Sequence, residues 1–78
     1  MLDMYELKHT ENYEIDDIKF TIHICNVGND RLRAYVLLEN IKSGEKIKIG
    51  TAEADEDCPI EEFLNVIKKE LKQLLEKE

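Results

Sequence analysis

The sequence predicts an α+β fold in which a three-stranded antiparallel β-meander carries one long C-terminal α-helix across one face. Residues 17–54 contain three segments in which apolar and polar residues alternate with period two, as in a sheet with one buried face. Residues 60–75 then repeat apolar side chains at helical spacing. A chain of 78 residues has room for one small domain, so we expect residues 1–78 to form a single unit.

The alternating segments define two faces of the predicted sheet. The apolar set comprises Ile18, Phe20, Ile22, Ile24, Leu32, Ala34, Val36, Leu38, Ile47 and Ile49. Of these, we expect the helix to pack on Ile18, Phe20, Ile22, Ile24, Val36, Leu38 and Ile49. The polar set, which we expect on an open outer face, comprises Lys19, His23, Cys25, Arg31, Arg33, Tyr35, Leu37, Lys46 and Lys48.

The turns between the segments predict how the strands pair. A two-residue hairpin turn at Ser43-Gly44, where glycine accepts a positive φ, predicts the pairs Lys42–Glu45, Glu39–Lys48, Leu38–Ile49 and Val36–Thr51. A three-residue loop at Gly28–Asp30 predicts the pairs Val27–Arg31, His23–Tyr35, Phe20–Leu38 and Lys19–Glu39. Glu39 would then lie between Lys19 and Lys48 in a row of ion pairs on the outer face.

Residues 1–16 fit two structures. Asp3 and Glu6 have the spacing of a capping box, which favours a short helix over residues 4–9. Tyr5, Leu7 and His9 also alternate, which favours a fourth, edge strand. The sequence does not decide between the two.

The helix is predicted from about Pro59 to near the C-terminus. Proline suits the first helical position, and the acidic residues before it favour the helix dipole. Its apolar stripe comprises Ile60, Phe63, Leu64, Ile67, Leu71, Leu74 and Leu75. We expect Lys68 to lie outside this stripe and to contribute little to stability.

The composition limits the classes of function. The net charge is −7, which disfavours long-range attraction to nucleic acid or acidic membranes and favours basic partners. Cys25 and Cys58 have no metal-type spacing, and two free thiols in a reducing cytoplasm is the simpler interpretation, with a disulfide as the alternative. Residues 1–4 lack the features of a signal peptide and no apolar run reaches membrane-spanning length, so we expect a cytoplasmic protein that contacts no membrane.

No pattern in the sequence predicts catalysis. Ser43 is the sole serine and is placed in a turn, and His23, one of the two histidines, has no evident carboxylate partner. There is no phosphate-binding glycine loop and no cation-binding loop around the acidic residues 53–57, which we interpret as a solvated segment leading into the helix. We therefore expect no enzyme activity, cofactor, metal or small-molecule ligand.

The open sheet face is the candidate binding site. Tyr35, Leu37 and Cys25 are apolar or nearly so on a face that should be wet, and adjacent residues of this kind often mark an interface. The candidate residues are Arg33, Tyr35, Leu37, Lys48, His23 and Cys25. We expect a small interaction protein that binds a protein partner or itself through this patch. In the alternative interpretation, Tyr5, Leu7 or Tyr13 covers the patch. Residues 17–50 carry six basic and four acidic side chains, so nucleic-acid binding on this face is the second hypothesis.

Overall fold

The computed structural model describes residues 6–76 and confirms the α+β fold with a C-terminal helix on one face of an antiparallel sheet. The sheet has four strands in chain order, β1-β2-β3-β4. The elements are β1 (Glu6–Ile15), β2 (Ile18–Gly28), β3 (Arg31–Asn40), β4 (Lys46–Asp55) and α1 (Ile60–Glu76). Neighbouring strands are all antiparallel, and β1 and β4 form the two edges.

The hydrophobic core lies between α1 and the central strands. Its buried members are Phe20, Ile22, Ile24, Leu32, Ala34, Val36, Phe63, Leu64, Ile67 and Leu71. All ten were predicted from the two periodicities, because a pleated strand and an amphipathic helix each present one apolar side. Leu74 is the exception in the helical stripe, since it is 50% exposed at the β4 side of the sheet.

The N-terminal segment is a strand over its described part, so the helix prediction is wrong for residues 6–9; residues 4 and 5 lie outside the described residues. β1 pairs with β2 along its whole length, with a bulge between Leu7 and His9. Its half-buried side chains face the helix, and Tyr13 stacks on Phe20 with ring centroids 6.4 Å apart. Burial against the core outweighs the local capping signal, which is worth only about 1 kcal/mol.

The pairing of β2 with β3 is as predicted over most of its length. His23 pairs with Tyr35 and Phe20 with Leu38. The predicted pair of Val27 with Arg31 is wrong, because β2 has a bulge there and Gly28 takes that place. Asn29 and Asp30 form a two-residue turn with φ of 55° and 59°, values that asparagine and aspartate tolerate better than most residues.

The predicted pairing of β3 with β4 is wrong. Leu38 pairs with Ile47 and Glu39 with Lys46, two residues away from the predicted partners. The reason is the connecting loop, which is longer than two residues. The side-chain oxygen of Asn40 accepts hydrogen bonds from the backbone N–H groups of Lys42 (3.0 Å) and Ser43 (3.2 Å), and this widens the turn.

A β-bulge at Ile49 brings the two strands back towards the predicted alignment. Leu37 pairs with Lys48 and Val36 with Gly50, so Ile49 has no partner on β3. A bulge reverses the alternation of side chains beyond it. Residues 46 and 48 therefore share the outer face with residues 51, 53 and 55. Glu39 lies between Lys19 and Lys46, not Lys48, and forms no ion pair within 4 Å in the described chain.

Candidate interaction face

The six candidate residues lie together on the outer sheet face, which is opposite the helix. His23 and Cys25 are contributed by β2, Lys48 by β4, and β3 carries the other three. Cross-strand pairing joins them, because His23 pairs with Tyr35, Cys25 with Arg33 and Leu37 with Lys48. In the described part of the chain no helix covers this side of the sheet.

Tyr35 is the centre of the face. The Lys48 ammonium lies 5.2 Å from the centroid of its ring, and the Arg33 guanidinium carbon lies 6.0 Å away. Arg33 also donates a hydrogen bond of 3.3 Å to the Tyr35 hydroxyl. Two cations on one ring restrict its rotation and give the face a rigid, amphipathic centre.

Carboxylates on β4 neutralise the two arginines of the face. Arg33 donates to Glu53 at 2.9 and 3.0 Å, and Arg31 pairs with Asp55 at 2.7 Å and with Glu53 at 3.5 Å. The hydrogen bonds that Arg33 donates to the Tyr35 hydroxyl and to the Glu53 carboxylate raise the pKa of Arg33, so its guanidinium stays charged. The sequence does not predict these pairs, because Glu53 and Asp55 fit a segment leading into the helix. The alternation of residues 51–55 was the signal for a longer strand.

The charges of the outer face are consequently close to balanced, with a single positive charge in excess among the side chains named here. Its basic side chains are Lys19, Arg31, Arg33, Lys46 and Lys48, and its acidic ones are Glu14, Glu39, Glu53 and Asp55. This face is less basic than residues 17–50 suggested, because the two β4 carboxylates and Glu14 come from outside that stretch.

Polar pairs join the face to β1. His23 Nδ1 is 3.1 Å from Thr10 Oγ1, and Thr21 donates to Asn12 at 3.1 Å. Leu7 pairs with Cys25 and is 57% exposed, so it extends the apolar surface at one end. Of the three residues considered as covers for the patch, Tyr13 lies on the helix side, Leu7 lies beside Cys25, and Tyr5 is outside the described residues.

The two thiols lie on opposite sides of the sheet and are both free. Cys25 is on the outer face, whereas Cys58 packs against the core just before α1. Among residues 6–76, no group of three or more His, Cys, Asp or Glu side chains is placed to hold a metal ion. Residues 53 and 55 of the acidic run belong to β4, and residues 56 and 57 connect it to the helix.

Comparisons with protein-family models, with curated proteins and with solved structures find no match to this chain. Within residues 6–76, α1 is neither long nor apolar enough to cross a membrane.

Proposed function

We propose that this chain is a non-enzymatic interaction protein whose outer sheet face binds a protein partner. The observation that carries the proposal is the uncovered centre of the face, where Tyr35 is held by Arg33 and Lys48 beside Leu37. The opposite face already packs on α1, so among residues 6–76 the outer face is the side of the sheet on which no other element packs.

The chemistry of this centre suits a protein surface. Tyrosine and arginine are enriched in the energetically dominant parts of protein interfaces. The contacts around the Tyr35 ring fix its position before binding, so less conformational entropy is lost when a partner packs on it. Leu37 and Leu7 add apolar area on either side of the polar centre.

Nucleic acid is the second candidate ligand, and the charge arrangement favours it less. Arg31 and Arg33 are engaged by carboxylates that would repel phosphate. In the described part of the chain the face carries one aromatic ring, Tyr35, whereas single-stranded nucleic acid usually stacks on two or three. The net charge of −7 also opposes long-range attraction to phosphate.

We place the partner in the cytoplasm. Two unpaired cysteines, one of them on the proposed binding face, suit a reducing compartment.

Capture from lysate with the immobilised chain tests the proposal. We expect a protein partner that survives nuclease treatment, that is nearly insensitive to salt, and that is lost on Leu37→Glu. Val66→Glu is the matched control, because it introduces the same charge at a residue that is 56% exposed on the helix, and it should retain the partner.

Two results would overturn the proposal. Steeply salt-dependent binding to single-stranded DNA or RNA, lost in Arg33→Ala, would assign the face to nucleic acid, because displaced counterions make such binding sensitive to salt. A folded Tyr35→Ala, Leu37→Glu double variant that keeps every captured partner would show that the face does not bind.

A further inference from the structure

β4 is an edge strand of ten residues whose outer row of backbone N–H and C=O groups has no partner strand in the described chain. Such an edge is a template for pairing with another strand. We propose that a second copy of this chain binds there, with β4 pairing antiparallel to β4 about a twofold axis that passes between the Thr51 residues of the two copies. The two four-stranded sheets would then form one continuous eight-stranded sheet.

The charge pattern of β4 is self-complementary. Lys46 and Lys48 lie in its first half, and Glu53 and Asp55 lie in its second half. Antiparallel pairing about the proposed axis sets Lys46 opposite the partner's Asp55 and Lys48 opposite the partner's Glu53. By symmetry each pair occurs twice, which gives four favourable cross-strand pairs of the kind that stabilises antiparallel strands.

The bulge at Ile49 is what makes this pairing possible. Lys46 and Asp55 are an odd number of residues apart, so they would lie on opposite faces of a regular strand. The bulge shifts the alternation by one residue, and all four charged side chains share the outer face.

The two lysines have no carboxylate of their own. Neither ammonium lies within 4 Å of a carboxylate in the described chain, although Lys48 contacts the Tyr35 ring. A carboxylate has acceptor sites for more than one donor, so Glu53 and Asp55 accept the partner's lysines while keeping their arginines.

The pairing also extends an alternating row of charges across six strands. The row runs through Arg31, Asp55, the partner's Lys46, the partner's Glu39, the partner's Lys19 and the partner's Glu14. Each residue in this row is paired in register with one of opposite sign, and the pairing of Asp55 with the partner's Lys46 joins the two copies.

The helix side of the same edge is apolar. Ile47 is 51% exposed and Leu74 is 50% exposed, and beside them is a groove of about 260 Å³. It is lined chiefly by Val36, Ile49, Ala52, Ile67, Leu71 and Leu74. In the proposed register Ile47 faces the partner's Ala54 and Ile49 faces the partner's Ala52. Each large side chain meets a small one, and the apolar face continues across the axis.

The other edge of the sheet lacks these properties. β1 carries three glutamates and one lysine, so pairing it with its own copy sets like charges opposite each other. Its helix side is also occupied, because Lys68 of α1 pairs with Glu11 there. The self-complementary pattern thus distinguishes β4 from β1.

This inference is independent of the proposed function. Pairing through the β4 edge leaves the outer face open and places two copies of the Tyr35 centre on one side of the eight-stranded sheet. Lys48 belongs to both sites, so the two proposals are separated by what is measured. Leu37→Glu is scored by capture of a partner and the β4 variants by self-association of the chain, so either proposal can fail alone.

A charge exchange between two variants tests the pairing. We expect the wild-type chain to dimerise in sedimentation equilibrium, more weakly at high salt. K46E/K48E and E53K/D55K should each weaken self-association by at least about tenfold, because four attractive pairs become repulsive. An equimolar mixture of the two variants should restore a heterodimer, since positions 46 and 48 of one then face opposite charges at positions 55 and 53 of the other.

K69E/K72E is the matched control. It changes the net charge by the same amount at exposed helix positions and should leave the dimer intact.

Three results would overturn the proposal. The first is a wild-type chain that stays monomeric up to about millimolar concentration, the weakest range of specific association. The others are a dimer that K46E/K48E does not weaken and a dimer that Leu37→Glu alone breaks. If E53K/D55K does not fold, NMR on mixed labelled and unlabelled wild-type protein decides the matter. Contacts between Ile49 and the partner's Ala52 support the pairing, and a dimer without them refutes it.

Discussion

The ammonium group of Lys68 on α1 is ion-paired with the carboxylate of Glu11 on β1, and it lies 5.4 Å from the centroid of the Tyr13 ring. The second oxygen of Glu11 lies 3.0 Å from His9 Nε2. These partly buried contacts attach the helix to the edge strand that it covers. The sequence places Lys68 outside the apolar stripe and does not predict this role, because residues 1–16 fit both a helix and a strand.

Lys68→Ala should destabilise the fold by about 0.5–1 kcal/mol, since it removes an ion pair and a cation–π contact that are both partly shielded from water. Lys69→Ala, at the exposed neighbouring position, should change the free energy of unfolding by much less. Urea denaturation of both variants measures the difference. Equal effects of the two substitutions would show that the Lys68 contacts contribute nothing.

The same contact predicts a pH dependence of stability. Hydrogen bonding to Lys68, and then to His9, lowers the pKa of Glu11 from its ordinary value of 4.5. The folded state therefore binds this proton less readily than the unfolded state, so the stabilisation is complete above pH 4.5 and is lost as the pH falls through the lower, folded pKa. Glu11→Gln should be less stable than wild type at pH 7, and the difference should shrink in acid. A difference that is constant between pH 7 and the acid range would contradict this.

The buried stripe of the helix should dominate its contribution to stability. Ile67→Ala should cost about 2–5 kcal/mol, the usual range for truncation of a buried aliphatic side chain. Leu74→Ala should cost less than about 1 kcal/mol, because this residue is half-exposed and its truncation leaves no closed cavity. Thermal and urea unfolding check both values. Similar losses at the two positions would place Leu74 in the core as well.

Asn40 should be the most sensitive residue of the β3–β4 loop. Asn40→Ala removes the acceptor of two backbone N–H groups and should cost about 1 kcal/mol. Ser43→Ala removes the acceptor of one N–H group, that of Glu45, and should cost less. NMR of the Asn40 variant should show chemical-shift changes concentrated in the loop and at Leu38 and Ile47. An Asn40→Ala variant with unchanged stability and spectrum would show that the Asn40 side chain does not set the register of β4.

The β2–β3 turn predicts a contrast between two substitutions at one position. Asn29 has a φ of 55°, which costs most residues with a side chain about 1–2 kcal/mol and glycine almost nothing. Asn29→Ala should therefore lower stability by about 1 kcal/mol, whereas Asn29→Gly should be close to neutral. Comparison of their melting temperatures tests this. An Asn29→Ala variant as stable as wild type would show that the turn has another geometry.

Local sequence patterns predicted those features of the fold whose physical cause lies within a few residues along the chain. The period of two in residues 18–25 and 31–38 and the helical period of residues 60–71 identified every buried side chain, because the direction of a side chain follows from the backbone period. The candidate residues on the outer face were brought together as predicted for the same reason. His23 and Tyr35 pair as expected because the turn between their strands lies only a few residues away.

Three features were determined only by the tertiary structure: that residues 6–15 form a strand, the register of β4, and the charge balance of the outer face. The capping signal of residues 3–6 and the strand signal of residues 5–9 were locally equivalent, and the strand forms because β2 and α1 bury its inner side. The loop at Asn40 and the bulge at Ile49 shift β4 by amounts that side-chain alternation does not encode. Arg33 meets Glu53 because these shifts place them side by side, twenty residues apart in sequence. The sequence by itself thus determined which residues are buried, since burial follows periodicity. The structure decided which strands and charges meet, since that depends on contacts between segments distant along the chain.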